Sequence, residues 1–275
     1  MAFQGLGRDG GDGGNRAILA AVTTYYWDST PLSDPEMATA RDMLVRHSSG
    51  PEFTEAFFKL LRSGKRVPVS IALARYQYSE AESRWGPDNP AESVSAEVLE
   101  RARWLLSHPP MKARECGTVH DEADHASALM AMMNLADVQD ADLIADVIER
   151  SPEPEVLAAA SMAAHRPFEF AAVPEPRLVE AIGRRAADDS LSPSTRAEVL
   201  QALRYADCAR GSEIALSLAE SDDVTLQVAA AQVLAAAHLA THREVVERLR
   251  ESWPEGTIGV GNVDLFLFED DHEVG

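Results

Sequence analysis

The residues with the greatest capacity for chemistry form one short cluster, His120-Asp121-Glu122-Ala123-Asp124-His125. Imidazole nitrogens and carboxylate oxygens are common ligands of zinc, iron and manganese. One interpretation is therefore a metal site that uses His120 and His125 with Asp121 or Glu122, although histidines five positions apart share a helix face less well than histidines four apart. The other is that the acids occupy the first turn of the following apolar helix and complement its dipole.

A second group of carboxylates lies in residues 139–155, where six acids accompany a single base, Arg150. These acids are Asp140, Asp142, Asp146, Glu149, Glu153 and Glu155. Such a run is usually the solvated face of a helix. The alternative is a docking surface for a basic partner, which would gain chiefly in association rate.

The composition excludes several classes of function. The chain has 275 residues, with 25 Lys and Arg against 45 Asp and Glu, which gives a net charge of −20. We therefore expect neither nucleic acid nor an anionic membrane surface as a partner, because both require a basic footprint. With two cysteines and no charged-then-apolar leader, we expect a reducing, cytoplasmic location. No Gly-rich phosphate loop or Gly-x-Ser-x-Gly motif is present, so no cofactor is expected.

The elements that position these groups are predicted to be helices. Four helix starts are indicated by a capping residue followed by proline, because proline loses no hydrogen bond at the first helical position. These pairs are Asp34-Pro35, Asn89-Pro90, Ser151-Pro152 and Ser192-Pro193. Strand patterns are scarce. Arg66–Val69 is one candidate, weakened by Pro68, and Val263–Phe268 predicts either a buried strand or a tail packed over the last helix.

Two helix types alternate along the chain. The first has two adjacent apolar residues and a third three positions after the second, as in Leu143-Ile144…Val147. It occurs five times, and the starts of successive copies are separated by 45, 35, 36 and 31 residues. The second has apolar residues at offsets 0, +3 and +6 and Ala at +7, as in Val156, Ala159, Met162 and Ala163. Alternating helix types at this period are typical of an α-solenoid.

The segments EVLAAASMAA, EVLQALRYA and QVAAAQVLAA, each preceded by a helix such as DADLIADVI, resemble the short, Ala-rich HEAT/armadillo repeats of bacteria. The resemblance covers about residues 91–253 and implies an all-α fold, a right-handed α-α superhelix. We expect a flexible Gly-rich tail at 1–15, an irregular helical N-terminal cap at 16–90, the repeats at 91–253, and an acidic C-terminal tail at 254–275.

The resemblance implies a binding scaffold more than an activity. We expect a non-enzymatic protein-binding module whose partner is a basic protein, in one version an immunity protein or antitoxin that covers a cationic toxin. Larger polar groups on the second helix type, Arg196, Glu198 and Tyr205, join the acidic residues as candidate partner-binding residues. The alternatives are a metal-dependent hydrolase or hydroxylase centred on His120 to His125, and a scaffold or regulatory subunit.

Overall fold

The computed structural model describes residues 27–28, 30–76, 85, 90–116, 118 and 120–273. All regular secondary structure in these residues is helical, which confirms the predicted all-α class. The predicted Gly-rich tail at 1–15 lies outside the described residues, as do parts of the predicted cap.

Thirteen α-helices and two 3-10 segments, Val138–Asp140 and Ala202–Tyr205, occur in the described ranges. The α-helices are α1 Pro35–Arg46, α2 Pro51–Leu61, α3 Arg66–Tyr76, α4 Ala91–Leu106, α5 Ala113–Cys116, α6 Ala123–Met132, α7 Ala141–Arg150, α8 Pro154–Phe170, α9 Pro176–Ala186, α10 Pro193–Gln201, α11 Ala209–Ala219, α12 Val224–Ser252 and α13 Val260–Glu273.

Capping chemistry explains where two predicted helices begin and why a third begins late. Asp34 Oδ1 accepts hydrogen bonds from Glu36 N (3.0 Å) and Met37 N (3.4 Å) at the start of α1. Ser192 Oγ accepts from Thr195 N (3.2 Å) at the start of α10. Ser151 does not cap α8, which starts at Pro154; its hydroxyl accepts from Glu153 N (3.2 Å) in the preceding turn. A second proline, Pro154, takes the first helical position that we assigned to Pro152.

Both candidate strands are helical. Arg66–Val69 forms the first turn of α3, where Pro68 is tolerated because the N–H groups of the first turn have no partner within the helix. Val263–Phe268 lies within α13, and Val263 is fully buried. The nearly continuous apolar run was ambiguous because alternation alone does not separate a short buried strand from a helix packed on one side.

The chain forms two compact units, one of residues Ala17–Ala136 and one that includes Asp137–Gly275. The boundary falls within the stretch predicted as repeats. In the first unit, α6 packs against α3 and α4, and all ten of its residues are buried. An aromatic cluster of Phe53, Phe57 and Trp85 adds to this core, with the rings of Phe57 and Trp85 centred 4.6 Å apart.

In the second unit, helices contact one another alternately. α7 packs on α9, whereas α8 packs on α10 and α10 packs on α12. Small buried residues such as Ala159, Ala163 and Ala202 allow the even-numbered helices to approach closely. The predicted position +6 is not uniformly buried: Met162 and Tyr205 are half-exposed. Helix α8 carries the half-exposed Met162, and the 3-10 segment after its neighbour α10 carries the half-exposed Tyr205. We call the exposed surface of α8, α10 and this 3-10 segment the even-helix face.

By length and composition alone, one described helix, α12, could cross a membrane. It has 29 residues, and its most apolar window has a mean hydropathy of 1.4, but half of that window is buried inside the protein. The backbone also leaves helical geometry at His238 (φ −143°, ψ 24°) and His242 (φ −122°, ψ 16°). α12 is thus two shorter helical segments joined by a kink, and its apolar residues pack against α10 and α11.

Candidate functional site

The cluster at residues 120–125 begins helix α6, and its most buried acid is held by donors from two segments. Asp124 is completely buried and forms an ion pair with the guanidinium of Arg66. Its second oxygen accepts a hydrogen bond from Met111 N (3.1 Å). Arg66 also donates to Pro109 O (2.7 Å). Asp124 therefore fixes the segment before α6 against the first turn of α3.

The other members of the cluster have similar local partners. Asp121 accepts from Ala113 N (2.7 Å) and from Lys112 Nζ (3.1 Å), and these two bonds, the first more than the second, lower the pKa of its carboxyl. Glu122 is buried with a left-handed backbone (φ 60°), and its N–H donates to Met111 O (2.8 Å). His125 is also buried, with Nε2 lying 3.0 Å from the carbonyl oxygen of His108.

These contacts favour a structural role for the cluster. Within the described part of the chain, no group of three His, Cys, Asp or Glu side chains is arranged to hold a metal ion. The proposed ligands His120, Asp121, Glu122 and His125 thus do not form a metal centre there. The other interpretation, that the acids lie in the first turn and complement the helix dipole, holds for Asp124 only. Asp121 and Glu122 precede the helix and bind the preceding segment.

The acidic face of α7 is matched by bases from the next odd-numbered helix. Arg177, near the start of α9, contacts Asp142 (3.3 Å), Asp146 and Glu149 (3.2 Å). These hydrogen bonds, the one to Asp146 most of all, raise the pKa of the Arg177 guanidinium. Arg184 also binds Glu149. The three carboxylates that we expected to attract a basic partner therefore already have cationic neighbours.

Of three further predicted residues, Asp140 and Arg196 have structural roles. Asp140 is buried and accepts from Asp137 N (2.9 Å) in a reciprocal capping box. Glu153 is the residue before α8 and is half-buried. Arg196 donates to Ala186 O (2.8 Å) and to Asp189 Oδ1 (2.6 Å), and only 13% of its side chain is exposed. Asp140 and Arg196 therefore already have partners, whereas the half-buried Glu153 carboxylate forms no ion pair with the described residues.

Glu155 and Glu198 have a different environment. Glu155 lies in the first turn of α8 and Glu198 in α10, and these two helices pack against each other on the even-helix face. Neither carboxylate forms an ion pair with any described residue. Although Glu198 reaches solvent, partial desolvation raises the pKa of its carboxyl, and the negative charge of Glu155 raises it further. The helix dipole favours a charge at Glu155, but it does not explain Glu198.

An aromatic cluster lies on the same face. The rings of His165 on α8 and Tyr205 after α10 are stacked with centroids 3.5 Å apart and planes 28° apart. The Arg204 guanidinium lies 5.8 Å from the Tyr205 ring centroid and 5.9 Å from that of Phe266 on α13. Half-exposed aromatic rings beside an arginine are the side-chain types enriched in protein–protein interfaces.

The sequence alone identified Glu155, Glu198 and Tyr205 as separate candidates. In the structure they lie on α8, on α10 and in the 3-10 segment after α10, which pack against one another. It did not identify His165 or Phe266. His165 follows Glu155 by ten residues, which places it about 80° around α8 from Glu155, so helical periodicity alone does not group the two residues. Phe266 had no such signal, because its segment was ambiguous between strand and helix.

Comparison of the chain with protein-family models, curated proteins and solved structures finds no match. The resemblance to HEAT/armadillo repeats therefore stays a prediction that depends on the repeated residue pattern.

Proposed function

We propose that the chain is a non-enzymatic protein-binding module of HEAT-like helical repeats that captures a basic protein through the even-helix face. The alternating contacts of α7 to α12 support a solenoid arrangement, in which the second helix of each pair lines the binding surface. An immunity protein or antitoxin that covers a cationic partner is the version we favour, since the net charge of −20 would speed capture of such a partner.

The observation that carries this proposal is that α8 and α10 pack against each other and each carries an acid without an ion pair among the described residues, Glu155 and Glu198. Two carboxylates near each other repel, and partial desolvation makes the charged form of Glu198 less favourable. A Lys or Arg side chain from a partner would relieve both effects. The His165 and Tyr205 rings lie further along the same two helices, ten residues beyond Glu155 and seven beyond Glu198, and offer an apolar and π surface for other side chains of the partner.

The structure narrows the surface that the sequence suggested. Asp142, Asp146 and Glu149 are already paired with Arg177 and Arg184, so they add less to the attraction than their number implies. We therefore place the partner contact at the Glu155 and Glu198 pair rather than on the α7 face.

The test is affinity capture from the native host with three bait proteins. They are the parent chain, the Glu155→Gln/Glu198→Gln variant, and an Asp222→Asn/Glu244→Gln control that loses the same charge at two exposed acids without a described ion pair. We expect a basic protein that the parent and the control retain and the first variant loses, with its Kd raised at least tenfold. A partner retained equally by all three baits, or an acidic partner, would contradict the proposal.

The same experiment distinguishes an inhibitor from a scaffold. If the captured protein has an activity, an immunity protein would suppress that activity at equimolar ratio, whereas a scaffold or regulatory subunit would leave it measurable in the complex.

A further inference from the structure

A surface cavity of about 450 Å³ lies in the Ala17–Ala136 unit, between α1, the first turn of α3 and the segment that precedes α6. This volume is within the range of about 300–1,000 Å³ that is typical of small-molecule sites. The apolar part of its wall consists of Leu32, Met37, Val67, Pro68 and Met111. The cavity is therefore large enough and apolar enough to hold the body of a small organic molecule.

The charged part of the wall is unusual for this chain. Three bases, Lys65, Arg66 and Arg114, and two acids, Asp34 and Glu115, are among the lining residues. Acids outnumber bases by 45 to 25 in the whole chain. Bases thus outnumber acids in the wall. Lys65 and Arg66 are already paired with Asp34 and Asp124, and Arg114 is the base of the wall that has no ion pair with a described residue.

The two acids already accept hydrogen bonds. Asp34 accepts from two backbone N–H groups of α1 and from Lys65 Nζ (3.0 Å). Glu115 accepts from Lys112 N (2.8 Å). Their capacity for a ligand's donors is correspondingly small.

The three bases keep unused donors. Lys65 makes one described bond of the three that an ammonium can donate. Arg66 uses only Nη2, toward Pro109 O and Asp124. Arg114 forms neither a hydrogen bond nor an ion pair with the described residues. The wall therefore offers N–H donors of positive charge beside an apolar surface, which is complementary to an acceptor-only anionic group.

We propose that this cavity binds a small amphiphilic anion, with a carboxylate or phosphate head on Lys65 and Arg114 and an aliphatic or aromatic body against Leu32, Met37 and Met111. This site is independent of the proposed partner surface, because it uses none of the residues of the even-helix face.

The test measures binding of four probes to the full chain by isothermal titration calorimetry. Octanoate and octyl phosphate carry both parts of the proposed ligand and separate the two head groups; octanol carries only the body, and acetate only the charge. We expect at least one of the first two to bind at least tenfold more tightly than octanol and acetate.

Variants then locate the binding. Lys65→Ala/Arg114→Ala should weaken the tighter probe at least tenfold, because two charge-assisted hydrogen bonds are lost. Arg248→Ala, an exposed base that does not line the cavity, should leave binding unchanged. Arg66 is unsuitable for substitution because it pairs with the buried Asp124.

A second variant addresses the apolar wall without changing a base. Met37→Glu places a negative charge in the apolar wall that contacts the proposed body and should also weaken the anionic probes at least tenfold, while circular dichroism reports whether the helices persist. The proposal is overturned if no anionic probe shows saturable binding, if octanol binds as tightly as the tighter anionic probe, or if binding survives in Lys65→Ala/Arg114→Ala.

Discussion

Asp124 and Glu198 are both carboxylates on helices, but their surroundings are opposite. Asp124 is fully buried and has a guanidinium and a backbone N–H as partners. Glu198 reaches solvent, has no basic partner among the described residues, and faces a second carboxylate, Glu155. The difference indicates that the first acid stabilises the fold and that the second remains available for a partner. The α7 acids resemble Asp124 in having cationic partners, although they are more exposed.

The largest expected effect is at the buried acid. Asp124→Asn should lower the free energy of unfolding by about 3 kcal/mol, because a fully buried carboxylate that accepts from both Arg66 and Met111 N is replaced by an amide whose NH₂ group cannot accept a hydrogen bond. Urea denaturation measures this. Asp121→Asn is the matched control, since Asp121 is partly exposed and its amide would still accept from Ala113 N; we expect a loss of at most about 1 kcal/mol. Equal stability of Asp124→Asn and the parent would mean that the pair does not stabilise the fold.

The second effect concerns the packing that brings Glu155 and Glu198 together. Ala159→Leu and Ala202→Leu should each destabilise the protein by about 1–3 kcal/mol, because both alanines are buried where α8 and the end of α10 pack. Thermal or urea unfolding measures the change. Ala158→Leu, one position along α8 and half-exposed, should change stability by less than about 0.5 kcal/mol. If all three variants unfold alike, these helices do not pack in the register that the structure shows.

The third prediction tests whether the α7 acids stabilise the fold through their ion pairs. Reversal of Asp142, Asp146 and Glu149 to Lys should destabilise the protein by about 1–2 kcal/mol at low salt, because the new charges face Arg177 and Arg184. This cost is evident only from the structure, because Arg177 lies 31 residues from Asp146 in the chain.

Added salt should reduce that loss of stability, since exposed charges are screened over about 8–10 Å. Reversal of Glu220, Glu244 and Glu251, three exposed acids without described ion pairs, is the control and should cost less than about 0.5 kcal/mol. Equal costs for the two triple variants would show that the α7 pairs contribute nothing specific.

The sequence predicted the helical class and several helix starts because these depend on local rules. Asp34 and Ser192 cap the helices that they precede, and the alanines of the second helix type are buried. It could not predict the pairing of acids, because Arg177 lies 31 residues from Asp146 and reaches it only through the packing of α7 on α9. For the same reason, Glu155 and Glu198 were placed in separate groups, although they lie on one face.

The smallest expected effect is electrostatic and concerns Glu198 directly. Its carboxyl should titrate above the ordinary value of 4.5 in the parent, and Glu155→Gln should bring the pKa down part of the way. Part of the rise should remain, because desolvation is the larger cause and the substitution removes only the neighbouring charge. NMR titration of the side-chain carboxyl carbon measures both values, and Glu220→Gln, at an exposed acid, should leave the titration of Glu198 unchanged.

The sign of the linked stability change follows from the same shift. Since folding raises the pKa of Glu198, the folded state binds this proton more tightly than the unfolded state does. The contribution of Glu198 to the free energy of unfolding is therefore fully present below pH 4.5. It is lost as the pH rises through the pKa of the folded state. In Glu155→Gln this loss should be smaller. The difference between the unfolding free energies of parent and variant should therefore change between pH 4.5 and the folded-state pKa of Glu198 and stay constant at higher pH. A Glu198 that titrates identically with and without Glu155 would show that the two carboxylates do not interact, and the contrast with Asp124 would then depend on burial alone.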